Sequence, residues 1–452
     1  LIERIMRSVP GAQVVALVRP SRRSSAAERA SRDILRNDCF DPLRRELGAS
    51  FDDVVGARFT AVAGDVTKDG LGLDGDGLRT LASCDLVVHS AATVSFDAPL
   101  DQAVDVNLLG PSRVADAIRR ARATLNRKTN RPACHLIAVS TAYVAGTHQG
   151  EAAEQLLTDN AFAPSVDWNG EVEFAQRLRD DLQAESRRAQ RLTEFSSRAR
   201  AERGAAGAHL LAARAEWFRE DWVNRSLIDA GLARAKALGW PDTYAYTKAL
   251  GEMALVAQFG PGSELGESTL PITIVRPSII ESALAHPYPG WIRGFRMAEP
   301  IIISYARGLL KEFPGVPEGV IDVIPVDLVV AAILAIAAGG PDPGPSVYHV
   351  ASSVRNPLGY GQLVELVYDW FSRHPIYDER GQPISVPKWS LPGRGRVQQQ
   401  LERATQLMRA AERILSVVPI RGERAANLSA RLEDRQTLAT RALGYVELYG
   451  AY

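Results

Sequence analysis

Tyr244 and Lys248 stand four residues apart in Asp242-Thr-Tyr-Ala-Tyr-Thr-Lys-Ala-Leu-Gly-Glu252. On a helix, side chains at i and i+4 share a face, so a phenol and an ammonium can converge on one point. A neighbouring cation favours phenolate and lowers the phenol's pKa. Such a hydroxyl can pass a proton to or from a carbonyl oxygen near neutral pH. A packed tyrosine beside a solvated lysine has the same spacing, so the surrounding chain must decide between the two.

Several short motifs follow apolar runs, where open α/β sheets place their ligands. Ser140-Thr-Ala-Tyr-Val-Ala-Gly146 would set the Thr141 hydroxyl on a substrate oxygen beside Tyr244, or simply cap the strand. Gly64-Asp65-Val66 fits a loop facing an adenine ring, with Asp65 accepting from its exocyclic amine, or a plain turn. Ser90, Ala91 and Ala92 are small enough to let a backbone approach a dinucleotide, or to fill a tight packing corner. Asn107 could fix a water or carbonyl near the site, or belong to a packing network. Arg19 ends the first visible strand and is followed by Arg22 and Arg23. In a dinucleotide fold an acidic residue there binds the ribose hydroxyl of NAD, whereas arginine accommodates the 2′-phosphate of NADP. The reading is NADP.

These residues need a frame. Strands are expected at Val14–Val18, Phe59–Ala63, Asp85–Ser90, Leu136–Ser140, Pro271–Arg276 and Ser346–Val350, each a short β-branched or apolar run. Helices are expected over 25–48, 78–82 and 105–122. Strands alternating with helices imply an α/β fold, a Rossmann-like doubly wound parallel sheet with helices on both faces. Residues 151–235 break that rhythm and read as a helical hairpin insertion, either packed on itself or facing a partner or membrane. Charges of both signs are nearly balanced over 171–203, which disfavours an anion-seeking surface. Arg394 to Arg441 reads as helical. The dinucleotide-binding domain is therefore expected over 1–150, 236–284 and 320–352, and a substrate-binding, mostly helical part over 285–319 and 353–452.

The chain opens with helical apolar spacing at Leu1, Ile2, Ile5 and Met6. That start places the glycine-rich turn of a dinucleotide fold upstream of residue 1, so a fragment is expected. With 452 residues, 46% of them apolar, there is material for two to three domains. Basic and acidic residues are equal at 53 each, so nothing points to nucleic acid. Cys39, Cys84 and Cys134 are widely spaced, without a metal-ligand pattern or a nucleophile setting, and fit free thiols in a reducing compartment. The longest apolar stretch, Leu328 to Ala338, is too short to span a bilayer. A cytoplasmic protein is expected, with peripheral membrane contact left open.

Together the motifs resemble an extended short-chain dehydrogenase/reductase. Leu17-Val-Arg-Pro20, His89-Ser-Ala-Ala-Thr-Val-Ser-Phe96, Val139-Ser-Thr-Ala-Tyr-Val144, the Asp242–Glu252 segment, Ile274-Val-Arg-Pro-Ser-Ile-Ile-Glu281 and Asp322-Val-Ile-Pro-Val-Asp327 are similar in wording and order to fatty acyl-CoA reductases of the male sterility type. The resemblance runs from residue 1 to about 355. It implies NADPH and the reduction of a long-chain acyl-CoA thioester to aldehyde or alcohol. It implies that Thr141 and Tyr244 meet the substrate carbonyl, that Lys248 orients the nicotinamide ribose and lowers the pKa of Tyr244, and that Asn107 supports this network. Pro277 would lie against the cofactor. The apolar stretches Pro287–Ile292, Ile301–Arg307 and Leu309-Leu310 would line an acyl tunnel, or form ordinary core. A nucleotide-sugar epimerase or dehydratase would share Thr141, Tyr244 and Lys248 but need neither the insertion nor the apolar stretches. A non-catalytic binding module of the same fold is the other alternative.

Overall fold

Six apolar runs become parallel strands, within a residue or so of the expected bounds: β1 (Val14–Val18), β2 (Phe59–Ala63), β3 (Leu86–His89), β4 (His135–Val139), β5 (Ile272–Pro277) and β6 (Ser346–Val350). The structure is a computed structural model that describes residues 1–96, 98–124, 132–203, 207–263, 270–294, 299–308 and 319–390. The chain divides into two compact units, Leu1–Trp291 with Ile324–Val350 and Ile292–Val323 with Ala351–Tyr452.

In the first unit β1 pairs with β2, and β3, β4, β5 and β6 pair in that order, all parallel. The expected single sheet is thus in two pieces. Among the described residues no strand pairs with the remaining edges of β1 and β3, and Val15 and Leu17 on β1 stay 39% and 38% exposed. β4 and β5 are continuous apolar runs because both of their faces are covered. On one face Leu136, Ala138, Ile272 and Ile274 pack against Val114 and Ile118 of α1 (Leu109–Ala123) and against Leu255 and Phe259, one turn apart near residue 259. On the other face Ile137 and Val275 meet Val329 and Ile333 of the Val326–Gly339 helix.

Two helical expectations change. Residues 25–48 do not form one helix. Ala26–Leu35 ends before Asn37, whose side chain accepts from the Cys39 amide, and a new helix starts at Asp41 with Pro42 in its first turn. The insertion holds three helices rather than a hairpin: α2 (Trp168–Ser186), α3 (Ala189–Arg203) and α4 (Ala208–Ala237). Arg219 of α4 donates to Gln183 Oε1 and Ser186 Oγ at 2.8 and 3.1 Å, tying down the break between α2 and α3.

The second unit has its own core, in which Ile301 and Tyr305 pack on Val364, Val367, Val386 and Trp389. The Tyr305 hydroxyl donates to the Pro387 carbonyl at 2.7 Å. Ile301 and Tyr305, offered as tunnel wall, are therefore core residues here. Leu309, Leu310 and the helix expected over 394–441 lie outside the described residues. No described helix is long and apolar enough to cross a membrane.

Candidate active site

The Tyr244–Lys248 segment begins α5 (Thr243–Phe259). Asp242 caps it by accepting from the Ala245 amide at 2.8 Å, an ordinary N-cap bond. Tyr244 therefore sits in the first turn, and Lys248 one turn later on the same face. Thr141 lies just beyond β4 and caps the short turn Ala142–Ala145, its hydroxyl accepting from the Tyr143 amide at 3.3 Å. The Thr141 side chain lies beside the Tyr244 phenol, close enough to lower its pKa. Lys248 Nζ donates to the Val139 carbonyl at 2.7 Å, two residues before Thr141. Phenol, alcohol and amine thus meet at the carboxyl end of β4. Phe96 covers the phenol edge-on, its ring centroid 5.6 Å from that of Tyr244.

The electrostatics differ from the expectation. Burial pushes the Tyr244 phenol up to about 12; the Thr141 side chain opposes this and the Asp242 carboxylate adds to it. Lys248 does not lower it. Its ammonium is turned to the Val139 carbonyl, and burial pushes Lys248 itself down to about 8 against the attraction of Glu252. Spacing alone considered the cation but not the loss of water. A phenol that stays neutral is still a hydrogen-bond donor, which is what a carbonyl oxygen gaining negative charge needs.

A buried lysine without a contacting carboxylate costs stability, and such cost concentrates at functional sites. The sign follows from linkage. The folded pKa is below the unfolded one, so the unfolded chain binds more protons between about pH 8 and 10.5, and stability rises with pH across that window. Below pH 8 the full penalty stands, about 3 kcal/mol. Lys248→Met loses one hydrogen bond, worth about 1 kcal/mol. The variant is therefore expected to be about 2 kcal/mol more stable than wild type at pH 7. Urea melts at pH 7 and 10 should show this gain shrinking at the higher pH. A variant less stable at pH 7 than at pH 10, relative to wild type, would contradict the buried charge.

Asn107 is buried in the π-helical turn Val104–Leu108. Its side chain is fully engaged: Oδ1 accepts from the Thr93 amide at 2.8 Å, and Nδ2 donates to the Thr93 carbonyl at 3.0 Å and to Thr247 Oγ1 at 3.2 Å. It ties the loop after β3 to α5. A Cβ on Gly251 of α5 would lie 2.3 Å from the Asn107 carbonyl oxygen, so only glycine allows this approach.

The other expected site residues line the carboxyl ends of the strands. Ser90 and Ala91 are exposed directly after β3, with Ala92 half-buried behind them. Gly64 is buried at the end of β2. Burial would raise the Asp65 carboxyl. The Thr67 amide and hydroxyl, each donating to Oδ1 at 2.9 Å, together with Arg19 outweigh that and hold it below the usual range. Val66 is half-buried beside it. Arg19 lies 3.9 Å from Asp65 with its side chain 69% exposed, and Arg22 is exposed nearby in the chain. Pro277 ends β5, buried opposite Val350 of β6. These residues gather into two groups, Arg19 with Asp65 and Thr141 with Tyr244 and Lys248.

Sequence reasoning passed over three features. Glu252 follows Lys248 by four residues and forms a buried ion pair with Arg276, the one charged residue of β5. Phe96 covers the phenol. His89 Nε2, Ser140 Oγ and Ser278 Oγ, at or just past the ends of β3, β4 and β5, are buried without a partner among the described residues. Burial pushes His89 down to about 3, with Lys248 acting in the same direction, so this ring is neutral. A charged residue inside an apolar strand was the available signal for Arg276; nothing local signals the orphaned hydroxyls.

Residues 1–333 match the NAD_binding_4 family, described as male sterility protein. The chain belongs to this family. It is 31% identical over 397 or 398 residues to two Arabidopsis thaliana relatives, "Fatty acyl-CoA reductase 1" and "Probable fatty acyl-CoA reductase 4", covering 86% of the chain and 71% of each. It is 32% identical over 394 residues to "Fatty acyl-CoA reductase 2, chloroplastic" of the same plant, and spans 57% of that relative's length. The "Alcohol-forming fatty acyl-CoA reductase" of Simmondsia chinensis is 30% identical over 85% of the chain and 70% of the relative. Among solved structures, the terminal R domain from the myxalamid PKS-NRPS pathway shares the fold, with a TM-score of 0.53 at 16% identity over 97% of this chain and 73% of that one. This chain thus has a Rossmann-like α/β frame in common with that domain.

Proposed function

We propose that the protein reduces a long-chain fatty acyl-CoA thioester with NADPH, releasing CoA and yielding fatty aldehyde, fatty alcohol or both. The observation that carries this reading is the Thr141 hydroxyl beside the Tyr244 phenol and the buried Lys248 at the end of β4, in a chain whose relatives are fatty acyl-CoA reductases. The residues present fit a nicotinamide dinucleotide. Unpartnered buried hydroxyls at Ser140 and Ser278 offer polar contacts at the ends of β4 and β5. Arg19, largely exposed, and Arg22 would hold a 2′-phosphate. Gly64, Asp65 and Val66 would flank the adenine, and Ser90, Ala91 and Ala92 would let the backbone approach the pyrophosphate. Lys248 would donate to the nicotinamide ribose, and Pro277 would border the ring.

Bound NADPH supplies the hydride. The chain's part is to hold the thioester carbonyl. Thr141 and Tyr244 donate to its oxygen as negative charge develops there, and Tyr244 then gives up its proton. The hydroxyl so formed returns that proton as the carbon–sulfur bond breaks and CoA leaves as the thiol, and reduction of the aldehyde to alcohol consumes a second NADPH. Asn107 acts through Thr93 and Thr247 by fixing α5 against the loop after β3. No acyl-enzyme is required. Burial pushes the Cys134 thiol up to about 11, which makes it a poor nucleophile at neutral pH.

NADPH oxidation should follow addition of palmitoyl-CoA and not of a UDP-sugar. The reverse pattern would favour a nucleotide-sugar enzyme, and binding of NADPH without turnover on either would favour the non-catalytic module.

A further inference from the structure

Tyr246 is two residues from Tyr244 and points to the other side of α5, since residues at i and i+2 lie about 200° apart on a helix. It is fully buried, and its hydroxyl donates to Glu171 Oε2 of α2 at 2.5 Å. Arg234 of α4 clamps the same carboxylate, with Nε donating to Oε2 at 2.9 Å and Nη2 to Oε1. Burial would raise the Glu171 carboxyl, but the bonds from Arg234 and Tyr246 outweigh it and keep it ionised. A buried carboxylate held by a guanidinium and a phenol is a strong, directional anchor.

The insertion and the short segment that leads from it into α5 touch the site's frame at two further points. A Cβ on Gly231 of α4 would lie 2.9 Å from Thr243 Oγ1, so the insertion's backbone presses on the first residue of α5. Just past α4, Trp240 Nε1 donates to the Val144 carbonyl at 2.9 Å, within the turn that Thr141 caps. Both segments that carry the reacting hydroxyls are therefore gripped from the insertion side. The first turn of a helix lacks four intrahelical acceptor bonds for its amides and opens most easily. Tyr244 sits in that turn, whereas Lys248 is already buried one turn further in.

We propose that Glu171 is a positioning residue for the reaction: anchored by Arg234, it holds the Tyr246 hydroxyl and so fixes the first turn of α5 where Tyr244 meets Thr141. The insertion is then a working part of the active site and not a free arm. This rests on the reductase reading above, in which Tyr244 is a carbonyl donor.

The test compares wild type with Tyr246→Phe, Glu171→Gln and the double variant, at a temperature where all are folded. It reads kcat and KM for palmitoyl-CoA, and NADPH affinity by fluorescence titration. Tyr246→Phe removes one hydroxyl and keeps the ring packing. It should lower kcat on the order of 10- to 100-fold, as small misplacement of a reacting group does, with NADPH affinity unchanged. Glu171→Gln keeps an acceptor for the phenol and should lose less. The double variant should be no worse than Tyr246→Phe, because both act on one bond. A Tyr246→Phe enzyme with wild-type kcat overturns the proposal even if its melting temperature falls. So does a parallel loss of kcat and NADPH affinity, which would mark general loosening of the sheet. Full activity in Tyr244→Phe would instead count against the reductase reading itself.

Discussion

Replacing Tyr244 with phenylalanine is expected to lower kcat/KM for the acyl-CoA on the order of a thousandfold, the upper range for loss of one donor to a developing oxyanion. NADPH affinity should stay near wild type, because the ring and its packing on Phe96 remain. Stability should fall by no more than about 1 kcal/mol, the worth of one hydrogen bond. Thr141→Val should cost less, since the Tyr244 donor is left in place. The phenol is pushed up to about 12, so it is protonated throughout the usual assay range. An alkaline limb in the rate near pH 8 would belong to Lys248, which burial pushes down to about 8. Steady-state kinetics with a parallel fluorescence titration checks the split. Activity within tenfold of wild type would remove Tyr244 from the mechanism.

The largest effect on stability is expected at Arg276. Its Nε lies 3.0 and 3.2 Å from the two Glu252 carboxylate oxygens, and Nη2 lies 2.6 Å from Oε2. The side chains are only 3% and 6% exposed. Nη1 also donates to the Gln155 carbonyl at 3.0 Å, so the guanidinium ties β5, α5 and the loop after β4 together. Removing one partner leaves a buried charge uncompensated, which costs about 3–5 kcal/mol, whereas exchanging both for apolar residues is often nearly neutral. Arg276→Met should therefore be destabilised by that amount in urea melts, and Arg276→Met with Glu252→Leu should recover most of it. A double variant as unstable as the single one would show that the Gln155 contact, not the charge pair, carries the effect.

Much of the frame was legible in the chain because its signals are local. β4 and β5 announce themselves as apolar runs covered on both faces, and the Tyr244–Lys248 spacing is a property of one helix. The features that tune the site are not local. Glu171 is 75 residues from Tyr246, and Glu252 is 24 from Arg276, so spacing alone cannot reveal either pair. The direction of the Tyr244 shift was misjudged for the same reason: the cation is four residues away in the chain but is turned to the Val139 carbonyl, and the burial that raises the phenol is not written in the spacing. The break between α2 and α3 depends on Arg219, which arrives from a third helix. The division of the sheet was not legible either, because nothing in β1 or β3 says which strand, if any, lies beside its second edge.

The central claim is that Thr141, Tyr244 and Lys248 act together on a thioester carbonyl. Gas chromatography of the products formed from NADPH and palmitoyl-CoA tests it most directly, with free thiol followed in the same samples. The account predicts hexadecanal or hexadecanol with matching release of CoA in wild type, and neither in Tyr244→Phe. Palmitate as the product, or equal yields from the two proteins, would contradict it.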